Sequence, residues 1–170
     1  AMPTYDGLGR MKSYSQKVDE LSTNAATPMH IVTDTTRSDI EYNANSQIKY
    51  YMDVVTSSAT PDLVTTTYFG FDGELDVKVD PAYDGLGRMK SYTQKSQEIS
   101  TNIDTPLDII TFSTRSGIVY DSVSRMTDYT ERVRETGLNL DITTTSTRTN
   151  IEYDSSSRLT YYMDVSASTA

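Results

Sequence analysis

Residues 83–92 read Tyr83-Asp84-Gly85-Leu86-Gly87-Arg88-Met89-Lys90-Ser91-Tyr92, and the same ten residues stand unchanged at 5–14, 78 positions earlier. Each copy has a proline two residues ahead of it, Pro3 and Pro81. Looser copies begin at Tyr42, Tyr120 and Tyr153. In all five (from Tyr5, Tyr42, Tyr83, Tyr120 and Tyr153) the opening tyrosine is followed by Asp6, Asn43, Asp84, Asp121 or Asp154. Five residues after the tyrosine comes Arg10, Gln47, Arg88, Arg125 or Arg158, and then Met, Ile or Leu. A second tyrosine closes each copy nine residues after the first: Tyr14, Tyr51, Tyr92, Tyr129 and Tyr162. One rule thus places ten of the thirteen tyrosines, so the chain is a repeat array before any local structure is read.

The opening tyrosines are spaced by 37, 41, 37 and 33 residues. A double unit spanning 1–80 (the Tyr5 and Tyr42 motifs) is followed by a second with a fifth motif over 81–170, read as one continuous array. Between motifs lies a second landmark, Thr27-Pro28, Thr60-Pro61 and Thr105-Pro106, with Glu135-Thr136-Gly137 in its place in the fourth unit. The segments between landmarks are rich in Thr, Val, Ile and Tyr, which suits a pleated surface. Apolar and polar residues alternate over 38–42 and 149–153. Asp-Gly, Asn-Ala-Asn-Ser and Ser-Ser-Ser after the opening tyrosine supply turn chemistry. No segment holds a helical period for three turns. Residues 95–99 and 130–135 come nearest, and both are read as strand or loop. The expected fold is all-β: an antiparallel β-hairpin repeat array in a twisted or spiralling sheet. Each unit is strand, Tyr-Asp turn, strand, Thr-Pro turn. Hairpins laid side by side cover one another's edges, so stability accumulates along the array. Residues 68–74 have no counterpart in other units and read as an extra short hairpin with Asp72-Gly73 at its tip.

Composition narrows the functions. The 170 residues carry 24 acidic and 15 basic side chains, a net charge of −9, and only 36% are apolar. No apolar run approaches the ~18 residues of a membrane span. An acidic chain lacks the concentrated Lys and Arg that phosphate backbones require, so no nucleic-acid partner and no membrane insertion are expected. With no Cys there is no disulfide, thiol nucleophile or Cys-based zinc site. Thr and Ser together supply 46 residues, a composition compatible with disorder were it not for the ordered tyrosines. Ala1-Met2 reads as a cloning remnant, and the chain is expected to be a fragment of a longer protein.

The motif, Tyr-Asp, a short variable stretch, Gly-Arg and a large aliphatic residue, resembles the YD repeat of the rearrangement-hotspot (Rhs) proteins, also found in insecticidal toxin complexes, wall-associated proteins and teneurins. The resemblance rests on Tyr5, Asp6, Gly9, Arg10 and Met11, and on Tyr83, Asp84, Gly87, Arg88 and Met89. At Tyr120-Asp121 and Tyr153-Asp154, Ser124 and Ser157 replace the glycine. At Tyr42, Asn43 and Gln47 replace Asp and Arg. The resemblance implies strands of a spiralling sheet that in this family can form a hollow shell around a toxic C-terminal segment. The units here are longer than the family's usual repeat, which leaves a flatter or fibrous β-array open beside a shell.

Each sharp reading has a plainer rival. The Asp and Arg that bracket each turn are read as structural, Asp accepting backbone N–H groups and Arg pairing with it. The tyrosines are read as cross-strand packing, with a sugar-binding ladder as the rival. His30, the only histidine, is read as a strand residue and not as part of a catalytic triad. Asp72, Glu74 and Asp76 are weak candidates for calcium, without the spacing of a helix-loop-helix site. No cofactor and no catalytic residue are expected. The chain is expected to be a non-catalytic structural segment of a large secreted or cell-surface bacterial protein, scaffolding or enclosing its flanking domains. The alternative is an adhesin-like module that binds a glycan or a protein partner. Weak self-association through edge strands is expected in either case.

Overall fold

A computed structural model of the protein describes residues 2–21, 30–100, 102 and 106–170. Ala1, the Thr27-Pro28 landmark and Thr105 lie outside the described residues. The strands are β1 (Thr4–Tyr5), β2 (Met11–Leu21), β3 (His30–Tyr42), β4 (Ile48–Ser57) and β5 (Thr60–Phe69). Three two-residue strands follow, β6 (Phe71–Asp72), β7 (Val77–Lys78) and β8 (Ala82–Tyr83). The chain continues through β9 (Met89–Ser100), β10 (Asp108–Tyr120), β11 (Met126–Gly137), β12 (Leu140–Tyr153) and β13 (Leu159–Thr169). The described residues contain no helix, and the fold is an all-β antiparallel hairpin array. Residues 95–99 fall in β9 and 130–135 in β11, both extended.

The chain divides into two compact units, 1–69 with 96–110 and 70–95 with 111–170. In the first, the strand order is β1-β2-β3-β4-β5, followed by the portions of β9 and β10 that belong to it. Register at the motif end is set by Tyr14 opposite Arg37 and Arg37 opposite Asp53. Ser57 faces Thr60, so Ser58-Ala59 forms the tip between β4 and β5. The expected Thr-Pro turn is therefore displaced: Thr60-Pro61 already begins β5. A register shift next to Ser57 leaves Pro61 in a bulge, where its missing N–H costs no ladder bond.

The second unit runs β9-β10-β11-β12-β13, with β8 beside β9 and the separate hairpin β6-β7. Tyr129 faces Arg148 and Arg148 faces Asp164, the same register as in the first unit. Leu138-Asn139 is the tip between β11 and β12, with Asn139 left-handed (φ 62°). Glu135-Thr136-Gly137, expected at the turn, instead completes β11.

Both units bury apolar side chains by one local device. Three residues before the opening tyrosine, Asp39, Gly117 and Asn150 adopt φ of 55°, 61° and 54°. Asp, Asn and Gly are the residue types that tolerate this left-handed region. Beside Asp39 and Asn150 the strand register skips, the signature of a bulge that re-aims the chain. The residue that follows, Ile40, Ile118 or Ile151, is buried. The next, Glu41, Val119 or Glu152, is exposed, and the opening tyrosine after it is half-buried. Tyr50 and Phe69 are also buried, and Tyr51 stacks on Phe69 at 4.9 Å. With only these five and Pro81 buried among the apolar side chains of the described residues, the half-buried tyrosines and their polar contacts carry much of the packing.

Candidate functional site

Each Tyr-Asp motif is a closed hydrogen-bonded turn. Asp6 Oδ1 accepts the backbone N–H groups of Leu8 and Arg10, both at 2.9 Å, and Oδ2 accepts Arg10 Nε at 2.7 Å. Asp84 repeats these contacts with Leu86 and Arg88, Asp121 with Val123 and Arg125, and Asp154 with Ser156 and Arg158. In the Tyr42 copy, Asn43 Oδ1 takes the same two backbone N–H groups and its Nδ2 donates to Gln47 Oε1. The loosest copy thus keeps the turn and loses only the charge. The residue four after each opening tyrosine is left-handed: Gly9, Ser46, Gly87, Ser124 and Ser157, with φ between 60° and 80°. The backbone N–H of the following arginine is the largest cause holding the Asp6, Asp84, Asp121 and Asp154 carboxyls below the ordinary value of 3.8. The guanidinium adds to this, and desolvation opposes it.

The arginine then reaches into the next motif. Arg88 Nη1 donates to the Asp121 carbonyl (3.4 Å) and Ser124 Oγ (3.2 Å), and its guanidinium lies 4.7 Å from the Tyr120 ring centre. Tyr120 answers by donating its hydroxyl to the Met89 carbonyl at 2.7 Å. Burial pushes the Tyr120 hydroxyl pKa up. Arg10 makes the same contacts with Asn43, Ser46 and Tyr42, whose hydroxyl bonds the Met11 carbonyl. Arg125 contacts the Asp154 carbonyl and the Tyr153 ring, and Tyr153 bonds the Met126 carbonyl. Arg158 keeps its bond to Asp154, but its side chain is 79% exposed.

The closing tyrosines form a second ladder with arginines that the motif does not contain. Arg37 lies between Tyr14 and Tyr51, 5.8 and 3.7 Å from their ring centres, and forks onto both oxygens of Asp53. Arg148 lies between Tyr129 and Tyr162 and forks onto Asp164. Arg115 lies between Tyr92 and Tyr129 and pairs with Glu131. These residues escaped the sequence reading, yet a spacing announces them. An arginine stands five residues before each of Tyr42, Tyr120 and Tyr153, and an acid eleven after. Gln16 and Gln94 occupy the acid's place in the other two units.

The remaining candidates are scattered. Asp72 Oδ1 caps the N–H groups of Glu74 and Leu75, while Glu74 bridges Arg132 and Arg134. Asp76 is exposed. No three metal-ligating side chains come together among the described residues. Exposed His30 stands 3.3 Å from Asp19. The Asp and Arg side chains of the motif are therefore engaged with one another, and Arg10, Arg88 and Arg125 with the next motif as well, an arrangement that holds strands in register. Among the tyrosines and arginines of the motif, Tyr5, Arg158 and Tyr162 are exposed, as is Tyr161 next to Tyr162 in the chain. No family model, no curated protein and no solved structure matches this chain.

Proposed function

We propose that the chain is a non-catalytic structural segment of a YD-repeat-type secreted or surface protein, one that extends, encloses or presents other domains of its polypeptide. The observation that supports this is the double use of each motif arginine. Arg10, Arg88 and Arg125 close their own turn through Asp and grip the following pair, Tyr42-Asn43, Tyr120-Asp121 or Tyr153-Asp154. A motif whose aspartates and arginines are spent on internal cohesion gives rigidity and leaves few of those groups for a ligand. Glycan arrays and cell-binding screens with the intact chain test the reading, and a scaffold gives blanks in both. Saturable binding that disappears in Tyr161→Ala or Tyr162→Ala would replace it with the adhesin reading, because these two rings are the exposed aromatic pair on β13. Hydrolytic turnover lost on substituting a residue of this chain would overturn both.

A further inference from the structure

The β6-β7 hairpin, in the stretch that has no counterpart in the other units, docks on one face of β9, β10 and β11. Gly73 at its tip sits against the Phe112 ring and the Lys95 stem, so closely that a Cβ there would overlap the ring. Glu74 reaches the two arginines of β11, which share a face because they stand two residues apart. Its Oε1 accepts Arg132 Nη1 at 3.2 Å, Arg132 Nη2 at 3.3 Å and Arg134 Nη1 at 3.2 Å, and its Oε2 accepts Arg132 Nη1 at 3.2 Å. Lys95 Nζ lies 5.9 Å from the Phe71 ring centre. Three cations of a chain with net charge −9 thus gather beneath one acidic hairpin.

The docking is weakly held. All four Glu74 contacts are long for charge-assisted bonds, and they join partly exposed groups. The hairpin's own ladder is two residue pairs, Phe71 with Lys78 and Asp72 with Val77, and Leu75 and Val77 are exposed. Docking also carries a cost. A cavity of about 20 Å³ between hairpin and sheet is lined by Asp72, Glu74, Thr93, Phe112 and Arg132, and Thr93 Oγ1 is buried with no hydrogen-bond partner among the described residues.

We propose that Arg132 and Arg134, with Lys95 beside them, form an oxyanion site that Glu74 occupies as an internal ligand, and that a tetrahedral dianion, a phosphate or sulfate group, displaces Glu74 and lifts the hairpin. The shape of the Glu74 contact argues for this class. Oε1 serves three N–H donors from two guanidiniums while Oε2 serves one. A tetrahedral oxyanion brings more acceptor oxygens to the same donors, and a second negative charge to the three cations. Arg132 has no charged partner besides Glu74 among the described residues, so it turns readily to a ligand. Asp141 meets Arg134 through both oxygens at 2.8 Å and keeps that guanidinium in place when the hairpin lifts. The uncovered Thr93 hydroxyl adds one more donor at the floor of the site. Hairpin and anion compete for the same donors, so whatever loosens the hairpin tightens binding. A hairpin docked about nine-tenths of the time weakens the site about tenfold.

Amide exchange and calorimetric titration of the full chain test this, with inorganic phosphate, sulfate and sodium chloride at matched ionic strength so that screening is equal. Phosphate or sulfate is expected to speed exchange at 71–78 beyond the effect of chloride and to leave the Tyr-Asp turns unchanged. The anion that binds more tightly names the group the site takes. Glu74→Gln removes the internal charge, and Gly73→Ala props the hairpin off Phe112. Each variant, its folding confirmed by a melting curve, is expected to bind the anion about tenfold more tightly than the wild type. Arg132→Ala is expected to abolish the anion's effect on exchange. Exchange that responds to chloride as it does to phosphate and sulfate, an affinity in either hairpin variant no higher than the wild type's, or an anion effect that survives Arg132→Ala would each overturn the proposal. None of these residues belongs to the Tyr-Asp motif, and the result is independent of the glycan and cell-binding screens.

Discussion

Arg88→Ala and Arg158→Ala remove the same side chain from the same turn, and the difference between them isolates the joint between repeats. Both lose the 2.7 Å contact from Nε to the turn aspartate, so that term cancels. Arg88 alone loses its position over the half-buried Tyr120 ring, about 1 kcal/mol for a partly desolvated cation–π contact. It also loses two long hydrogen bonds, to the Asp121 carbonyl and Ser124 Oγ, together worth about 1 kcal/mol. Arg88→Ala is therefore expected to be about 2 kcal/mol more destabilising than Arg158→Ala. For a chain of this size that corresponds to a melting temperature lower by about 4–8 °C. Thermal and urea unfolding, followed by circular dichroism at a concentration where the chain is monomeric, measures it. Equal losses in the two variants would refute the idea that the arginine stabilises mainly through the following motif.

Acid should unfold the protein in a defined window. The folded-state pKa values of Asp6, Asp84, Asp121, Asp154, Asp141 and Asp164 lie below 3.8. Their contribution is complete above that value and is lost as pH falls through the depressed ones. A melting temperature that stays flat from pH 5 to about pH 2 would contradict this. Ser157→Gly is expected to raise stability by about 0.5 kcal/mol, because Ser157 sits at φ 60° and glycine occupies that region without penalty. Gly87→Ala, at φ 80°, should lower stability by about 1 kcal/mol, and opposite signs in urea titrations are the check. Gly73→Ala should loosen the β6-β7 hairpin, since a Cβ there meets the Phe112 ring and the Lys95 side chain. Faster amide exchange confined to 71–78 and neighbouring β10 is the expected trace.

The sequence made the strands and the turn legible because both depend on short-range chemistry. Alternation at Ile40 and Tyr42 and the Asp-to-backbone bonds of the turn need only a few consecutive residues. The hairpin tips were harder. Pro61 suggested a turn, but the bulge beside Ser57 lets it sit inside a strand, a tertiary accommodation that local propensity does not contain. The left-handed positions Asp39 and Asn150 were likewise hidden, because their residue types suit a turn and a bulge equally. The ladder of Arg37, Arg115 and Arg148 was missed for another reason. Its members lie in the strand before each motif and meet their acids sixteen residues later, so only the register of paired strands brings the two spacings together.

That register carries a consequence for how such a chain can change over generations. Tyr14 faces Arg37 and Tyr129 faces Arg148, so these partners stand 23 and 19 positions apart along the chain. Both pairs are fixed at the motif end, so the four-residue difference lies on their far side, away from the motif. Residues added beyond a fixed pair leave the pairing on its motif side unchanged, whereas a one-residue slip of the pairing itself would turn a strand's side chains to the opposite face. Hairpins in this array can therefore be lengthened or trimmed at the far end without disturbing the motif end. Copying errors there are tolerated more readily than at the motif, and the hairpins can be retailored in length while their joints stay the same.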